Sequence, residues 1–221
     1  NAANKFNEDI SSDKVLEYLS NGNNVAIVSD RGTPILSDPG NICVKKAIDA
    51  GFNVVSLPGA TAAIPALTSS GIDASRFIFY GFLNSKSLQR KKELELLKSN
   101  KMTIIFYEAP HRIIDMLNDI KDVFGNRIIS VSREISKKYE EIYRGIISEV
   151  ILEIGEPKGE FVIVVSGNTK ETNFDDITVL EHVQMYMDDG IDEKTAIKMV
   201  AKDRDVPKSD IYKQVKLFPG K

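Results

Sequence analysis

Two stretches carry the residue types of a small-molecule site: Asp30-Arg31-Gly32-Thr33-Pro34-Ile35-Leu36-Ser37-Asp38-Pro39-Gly40 and Leu57-Pro58-Gly59-Ala60-Thr61-Ala62-Ala63. Gly32, Gly40 and Gly59 permit close approach of the backbone, Pro34, Pro39 and Pro58 stiffen the turns, and Thr61 is of the type that caps a helix starting there. Such loops bind small molecules through backbone amides. Neither contains a dinucleotide or P-loop fingerprint. Singly, each is better explained as a tight turn of an α/β fold; together they shift the reading toward a ligand. A third group lies at the end of the apolar run Met102 to Tyr107. Glu108 stands just before Pro110, where a carboxylate either accepts a proton or caps the helix that follows. Histidine is the side-chain type suited to proton transfer near neutral pH, although a lone histidine such as His111 in a first helical turn is more often structural. Arg112 and Arg133 have the chemistry to meet phosphate.

The elements that must position these residues follow βαβ grammar. Val25-Ala26-Ile27-Val28 and Val54-Val55-Ser56-Leu57 are short, β-branched runs, which predicts two buried parallel strands with the two loops at their carboxyl ends, the edge where ligands sit in open sheets. Helices are expected over about Ser12–Leu19 and Ile42–Ala50 and after Thr61. A second block follows: strand Phe77–Tyr80, helix Ser87–Ser99, strand Met102–Tyr107, helix Pro110–Phe124, and strands Ile128–Val131 and Phe161–Val165. The polar stretch Asn168–Asp176 leads into a tail with its own helical spacing: Val179, Leu180, Val183, Tyr186 and Met187; then Ala196, Ile197, Val200 and Ala201 after an Asp192 cap; then Ile211, Tyr212, Val215 and Leu217 after Pro207. His182 is expected at its surface. The expected organisation is therefore residues 1–75, 76–168 and a helix-turn-helix-like module at 176–221.

Composition sets outer limits. The chain has 221 residues, 42% of them hydrophobic, enough for a sizeable core and more than one module. Its single cysteine, Cys43, excludes an intrachain disulfide framework and fits a reducing compartment, which points to the cytoplasm. No apolar run approaches membrane-spanning length, and no metal cluster is expected. A net charge of −3 argues against a protein that coats nucleic acid but leaves room for a local basic patch. From Ile191 onward eight Lys or Arg face five Asp or Glu. Lys86, Arg90, Lys91 and Lys92, followed by Lys98 and Lys101, form a basic run entering a helix; Lys137 and Lys138 form another. Each is either a solvated face or a phosphate contact.

In order, Asp30 to Gly40, Leu57 to Ala63, Phe106-Tyr107-Glu108-Ala109-Pro110-His111-Arg112, Arg133-Glu134-Ile135-Ser136-Lys137, Glu141-Ile142-Tyr143-Arg144-Gly145 and Gly159-Glu160-Phe161-Val162 resemble the ribosomal RNA small subunit methyltransferase I family, a branch of the tetrapyrrole methylase superfamily. The resemblance runs from Lys5-Phe6-Asn7-Glu8 to the helical tail. It implies a two-domain α/β methylase with S-adenosylmethionine in the cleft between domains. The implied reaction is methylation of a cytidine ribose 2′-hydroxyl in 16S rRNA of the small ribosomal subunit, by a homodimer. On this resemblance Asp30, Gly32, Thr33, Ser37, Asp38, Pro39, Pro58, Gly59, Ala60, Thr61, Ala62, Ala109 and Glu160 border the cofactor. Glu108 and Arg112 serve the reaction, and Arg90, Lys91, Lys92, Arg133 and Lys137 meet RNA.

Two departures stand out. Arg31 takes the place of the family's usual alanine, and the family's opening strand and Pro/Gly-rich loop have no counterpart here. The second departure predicts an incomplete first domain, as in a truncated or processed form, with weakened cofactor binding. Two other readings remain: a methylase of a tetrapyrrole-type small molecule, and a non-catalytic binding or assembly module.

Overall fold

A computed structural model describes residues 8–169, 177–188 and 190–217. Lys5 to Asn7, where the family resemblance begins, and Lys170 to Asp176 of the expected linker lie outside the described residues. The chain divides into two compact units, Asn1–Asn168 and Thr169–Lys221. Among the described residues no helix is long and apolar enough to cross a membrane.

The first unit is built on the run Phe161-Val162-Ile163-Val164-Val165, which is apolar at every position instead of alternating. That pattern belongs to a strand covered on both faces. The run forms β5 (Phe161–Val165), the middle of a five-stranded sheet with β1 (Phe77–Phe82), β2 (Thr103–Glu108), β3 (Ile128–Arg133) and β4 (Glu141–Ile146), in the order β1-β2-β5-β3-β4. β1 and β2 are parallel, joined through the helix α4 (Ser87–Leu97); β5 is antiparallel to both β2 and β3, and β4 is antiparallel to β3.

One face of the sheet carries Ile104, Phe106, Ile129, Val131, Ile163 and Val165. It is covered by α4, α5 (Ile113–Phe124) and α6 (Ile147–Glu153). In α5, Ile113, Met116, Leu117, Ile120, Val123 and Phe124 recur at helical spacing and are all buried. The opposite face, with Ile105, Val162 and Val164, is covered by the short helix α3 (Ala63–Ser69) through Ala63, Ala66 and Leu67. Small residues allow α3 to lie close on the sheet. Ahead of it stand α1 (Glu8–Ser20) and α2 (Asn41–Asp49).

The second unit packs α7 (Val179–Asp188), α8 (Glu193–Asp203) and α9 (Lys208–Leu217) around Val183, Ala196, Ile197, Val200 and Ile211. Asp192 caps α8 by accepting from the Thr195 amide at 3.1 Å, as its position before the apolar pattern predicts.

Several expectations are corrected. Val25–Val28 and Val54–Leu57 form no strand. Among the described residues no neighbouring chain offers them a hydrogen-bonding ladder, and Val28 and Leu57 are 84% and 80% exposed. β-Branched sequence favours a pleated, half-buried surface but does not supply one. His182 is not at the surface. It lies buried next to Val183 and one helical turn from Val179, with Nδ1 accepting from Arg204 Nε at 3.2 Å, Nε2 3.4 Å from Asp203, and the ring stacked on Tyr186. Burial and then Arg204 hold its pKa below the usual histidine value, against the pull of Asp203.

β4 and α6 are additions. α6 follows β4 with no glycine or proline between them, and its first turn is capped from afar: Asn126 Oδ1 accepts from the Ser148 amide at 2.9 Å.

Arg90 is a further correction. It is only 3% exposed, with Nη2 and Nε at 2.6 and 2.7 Å from Asp119 Oδ2. Ser87 Oγ donates to the other Asp119 oxygen at 3.0 Å, and Lys91 lies 3.3 Å from it. Asp119 thus pins α4 to α5. Asp119→Ala leaves a buried guanidinium without its counter-charge and should destabilise the protein by about 3–5 kcal/mol, lowering Tm by roughly 10 °C. Thermal denaturation measures this, and replacing both partners by apolar residues should recover most of the loss.

Candidate active site

The antiparallel seating of β2 and β3 on β5 brings their carboxyl ends to one place: Glu108 and Arg133 are both register partners of Phe161. Because β1 is parallel to β2, Phe82 ends at the same edge. The loop over residues 30–40 reaches this edge at two points. Ser37 lies against Gly81, where the strand register shifts and φ is +80°; a Cβ on Gly81 would stand 2.9 Å from Ser37 Oγ. At the other point the Arg31 guanidinium pairs with the Glu160 carboxylate, just ahead of β5.

The two sequence-predicted loops also meet each other. Thr33 Oγ1 donates to the Ala60 carbonyl at 2.9 Å, and a Cβ on Gly32, which sits at φ +70°, would stand 3.6 Å from the same oxygen. Ser29 Oγ closes the turn by donating to the Gly32 carbonyl at 2.9 Å. Ile35 and Ser37 both sit in the left-handed region, which a β-branched residue seldom adopts. At the far end Gly40 leaves room for Ile35, and its amide, with that of Ile42, donates to Glu8 Oε1 at 2.7 and 3.0 Å. Asp30 and Asp38 are exposed beside this frame and Pro39 is half-buried.

In the second loop Pro58, Gly59 and Ala60 are exposed while Thr61 and Ala62 turn inward at the start of α3. A side chain on Gly59 would meet nothing nearer than the Leu57 carbonyl at 3.9 Å, so the space over this loop is open. Thr61 Oγ1 is buried and has no hydrogen-bond partner among the described residues. An open backbone cradle beside a buried, unused hydroxyl suits a small polar ligand such as S-adenosylmethionine.

Glu108 and Arg112 lie at the same edge but on the α5 side of the sheet. The Glu108 side chain is fully enclosed; Oε1 accepts from the Ala109 amide at 2.8 Å and Oε2 is 3.0 Å from Arg112 Nη2. Burial pushes the Glu108 carboxyl above its ordinary pKa, with the Ala109 amide and then Arg112, Arg90 and His111 opposing. Arg112 is part-exposed and also donates to the Leu83 carbonyl at 2.8 Å, so the pair ties the exit of β1 to the exit of β2. His111 is exposed.

The basic residues separate. Arg133 and Lys137 stand at the loop edge, each with acid partners. Arg133 donates to the Lys158 carbonyl at 2.7 Å and to Glu141 at 2.8 Å, and Lys137 lies 2.9 Å from Glu134 and 3.0 Å from Glu160. Burial works to raise the pKa of Glu160, but Lys137 and Arg31 outweigh it and hold the carboxyl low. On α4, Arg90 is in the core, Lys91 is paired with Asp119 and Asp122, and Lys92 is exposed. Sequence reasoning missed Glu134, Gly81 and Glu8. Only Gly81 left a signal, an isolated glycine inside a strand pattern.

Residues 2–151 match the family described as Tetrapyrrole (Corrin/Porphyrin) Methylases. The chain is 48% identical over 216 residues to the ribosomal RNA small subunit methyltransferase I of Bacillus subtilis (strain 168), covering 94% of this chain and 74% of that protein. Its identity to the protein of the same name from Halalkalibacterium halodurans is 41% over 215 residues, with the same coverage. Among solved structures, the methyltransferase CobJ superposes with a TM-score of 0.58 at 19% identity, over 76% of this chain and 74% of that one. Diphthine synthase superposes with a TM-score of 0.57 at 12% identity, over 76% and 68%. These two likenesses establish the fold, and the sequence relatives narrow it further: this chain belongs to the tetrapyrrole methylase family, within its ribosomal RNA small subunit methyltransferase I group.

Proposed function

We propose that this protein is an S-adenosylmethionine-dependent methyltransferase that modifies the ribose 2′-hydroxyl of a cytidine in 16S rRNA, within the small ribosomal subunit. The observation that carries the proposal is the meeting of the two loops, Thr33 on Ala60, at the edge where β1, β2 and β3 end, in a chain 48% identical to a protein named for this activity. The reading includes a homodimer, as the family resemblance implies, and a cytoplasmic location, as the single cysteine suggests.

The cofactor, when bound, supplies an electrophilic methyl group on a sulfonium. Transfer to a hydroxyl is an in-line displacement, in which alignment accounts for much of the rate. The chain's part is therefore positional. Backbone groups of Gly32–Thr33 and Gly59–Thr61 form the cradle, and the Thr61 hydroxyl is free to hydrogen-bond within it. Arg112, anchored on Glu108 and the Leu83 carbonyl, presents a part-exposed cation suited to a substrate phosphate. Glu108 acts through Arg112; its carboxylate is enclosed and reaches no solvent-facing ligand directly.

Labelled methyl transfer to small subunits that lack the modification tests the assignment. Incorporation into 16S rRNA supports it, whereas cofactor binding without incorporation removes rRNA as substrate.

Gly59→Val tests the cradle. Its side chain enters open space and leaves the loop intact, so Tm should hold while the Kd for S-adenosylmethionine, read by calorimetry, rises at least tenfold. An unchanged Kd moves the cofactor elsewhere.

Glu108→Gln tests the burial argument through pH. The unfolded chain loses this proton near pH 4.3, while the folded protein holds it to higher pH, so stability from this group is full below that value and falls as pH rises through the folded pKa. Glutamine does not ionise. The Tm difference, variant minus parent, should therefore shift upward between pH 4 and pH 8. A downward shift would mean that the Arg112 ion pair outweighs burial.

A further inference from the structure

The acids of the helical unit are almost all engaged away from one line of lysines. Glu181 accepts from Thr178, Asp188 from Gln184, and Asp192 from the Thr195 amide. Glu193 lies 3.5 Å from Lys216, Asp203 accepts from Tyr186, and Asp210 pairs with Lys213. Lys194, Lys198 and Lys202 are all exposed on α8, and among the described residues none of the three forms an ion pair. They recur every four residues, so they form one line along the helix with steps of about 6 Å. The buried residues Ala196, Ile197, Val200 and Ala201 hold the other side of α8 against its neighbours and fix the line outward.

The contrast with α4 is informative. There half of the basic run is neutralised within the fold, Arg90 by Asp119, Lys91 by Asp119 and Asp122, and Lys98 by Glu95, while Lys92 stays exposed. A charge run that is only a solvated face tends to be laced with opposite charges, as α4 is. The α8 line retains three uncompensated cations on a rigid, capped helix in a protein of net charge −3.

We propose that Lys194, Lys198 and Lys202 form a contact surface for the phosphate backbone of RNA. The proposal rests on the rRNA reading above and adds the place where the nucleic acid is held. Successive phosphates of one strand lie at spacings comparable to one turn of helix, so a strand running along α8 meets one lysine after another. Lysine supplies point charges without base readout, so the contact gives affinity and register with no sequence preference. Specificity is left to the methylase unit and the subunit's shape.

The test uses the full chain and the triple variant Lys194→Gln, Lys198→Gln, Lys202→Gln, which removes charge while keeping helix propensity. Binding to a fluorescein-labelled RNA hairpin is measured across a salt series. The slope of log affinity against log salt should become shallower by about 2 to 3, and affinity at low salt should fall at least tenfold. Tm and S-adenosylmethionine binding should be unchanged. A variant with the parent's slope overturns the proposal, and if the parent still methylates small subunits the rRNA reading survives. Binding to phosphatidylglycerol vesicles that depends on these lysines, with no hairpin binding, also overturns it in favour of a membrane surface. A parent that methylates no small subunit brings down the rRNA reading separately, whatever the hairpin shows.

Discussion

The double pairing of β5 is the constraint on which the site depends. Phe161 faces Glu108 on one side and Arg133 on the other, so the exits of β2 and β3 are held level, and Glu160 is presented just ahead of both. A slip of one residue in either ladder would turn every side chain to the opposite face. It would turn Ser130 and Ser132, now buried on the other face, toward the α5 residues and take Ile129 and Val131 out of that core. Apolar burial on both faces of β5 makes that slip very unfavourable, and the register in turn fixes where the loops find partners. The site is accordingly assembled on a rigid edge by loops whose own backbone is irregular.

Much of this was legible in the sequence because it was local. The apolar spacing of α5, the uniform run of β5 and the Asp192 cap each carry their signal within a few residues. Both loops were legible from glycine, proline and threonine, and Thr33 joins them by donating to the Ala60 carbonyl. What could not be read depended on distant partners. Val25–Val28 and Val54–Leu57 have strand composition, yet a ladder requires a neighbour. α6 takes its cap from Asn126, and α2 takes its from Glu8. Arg90 looked like one of three adjacent cations, and only the packing of α5 shows that it turns inward to Asp119.

In the first unit several cations are matched: Arg133 by Glu141, Lys137 by Glu134 and Glu160, Lys91 by two aspartates. These pairs fix orientation more than they add stability, since most are solvent-accessible and screened. Asp119 and Glu108 are the exceptions. Each is a buried carboxylate that holds an arginine, and each adds a polar tie between elements that already pack or pair: α4 with α5, and the exit of β1 with the exit of β2.

The left-handed backbone of Ile35 has a consequence for how this loop can vary. A β-branched residue held there stores about 1–3 kcal/mol of strain, which persists only while the surroundings over-determine it. Gly40 gives Ile35 its space, and Ser37, two residues on and also left-handed, is received by a glycine of β1. Ile35, Ser37, Gly40 and Gly81 therefore do not behave as four separate positions. Their substitutions are coupled, and the effect of changing one is set by what occupies the other three. A replacement at one of them is best tolerated when a partner among the four changes with it.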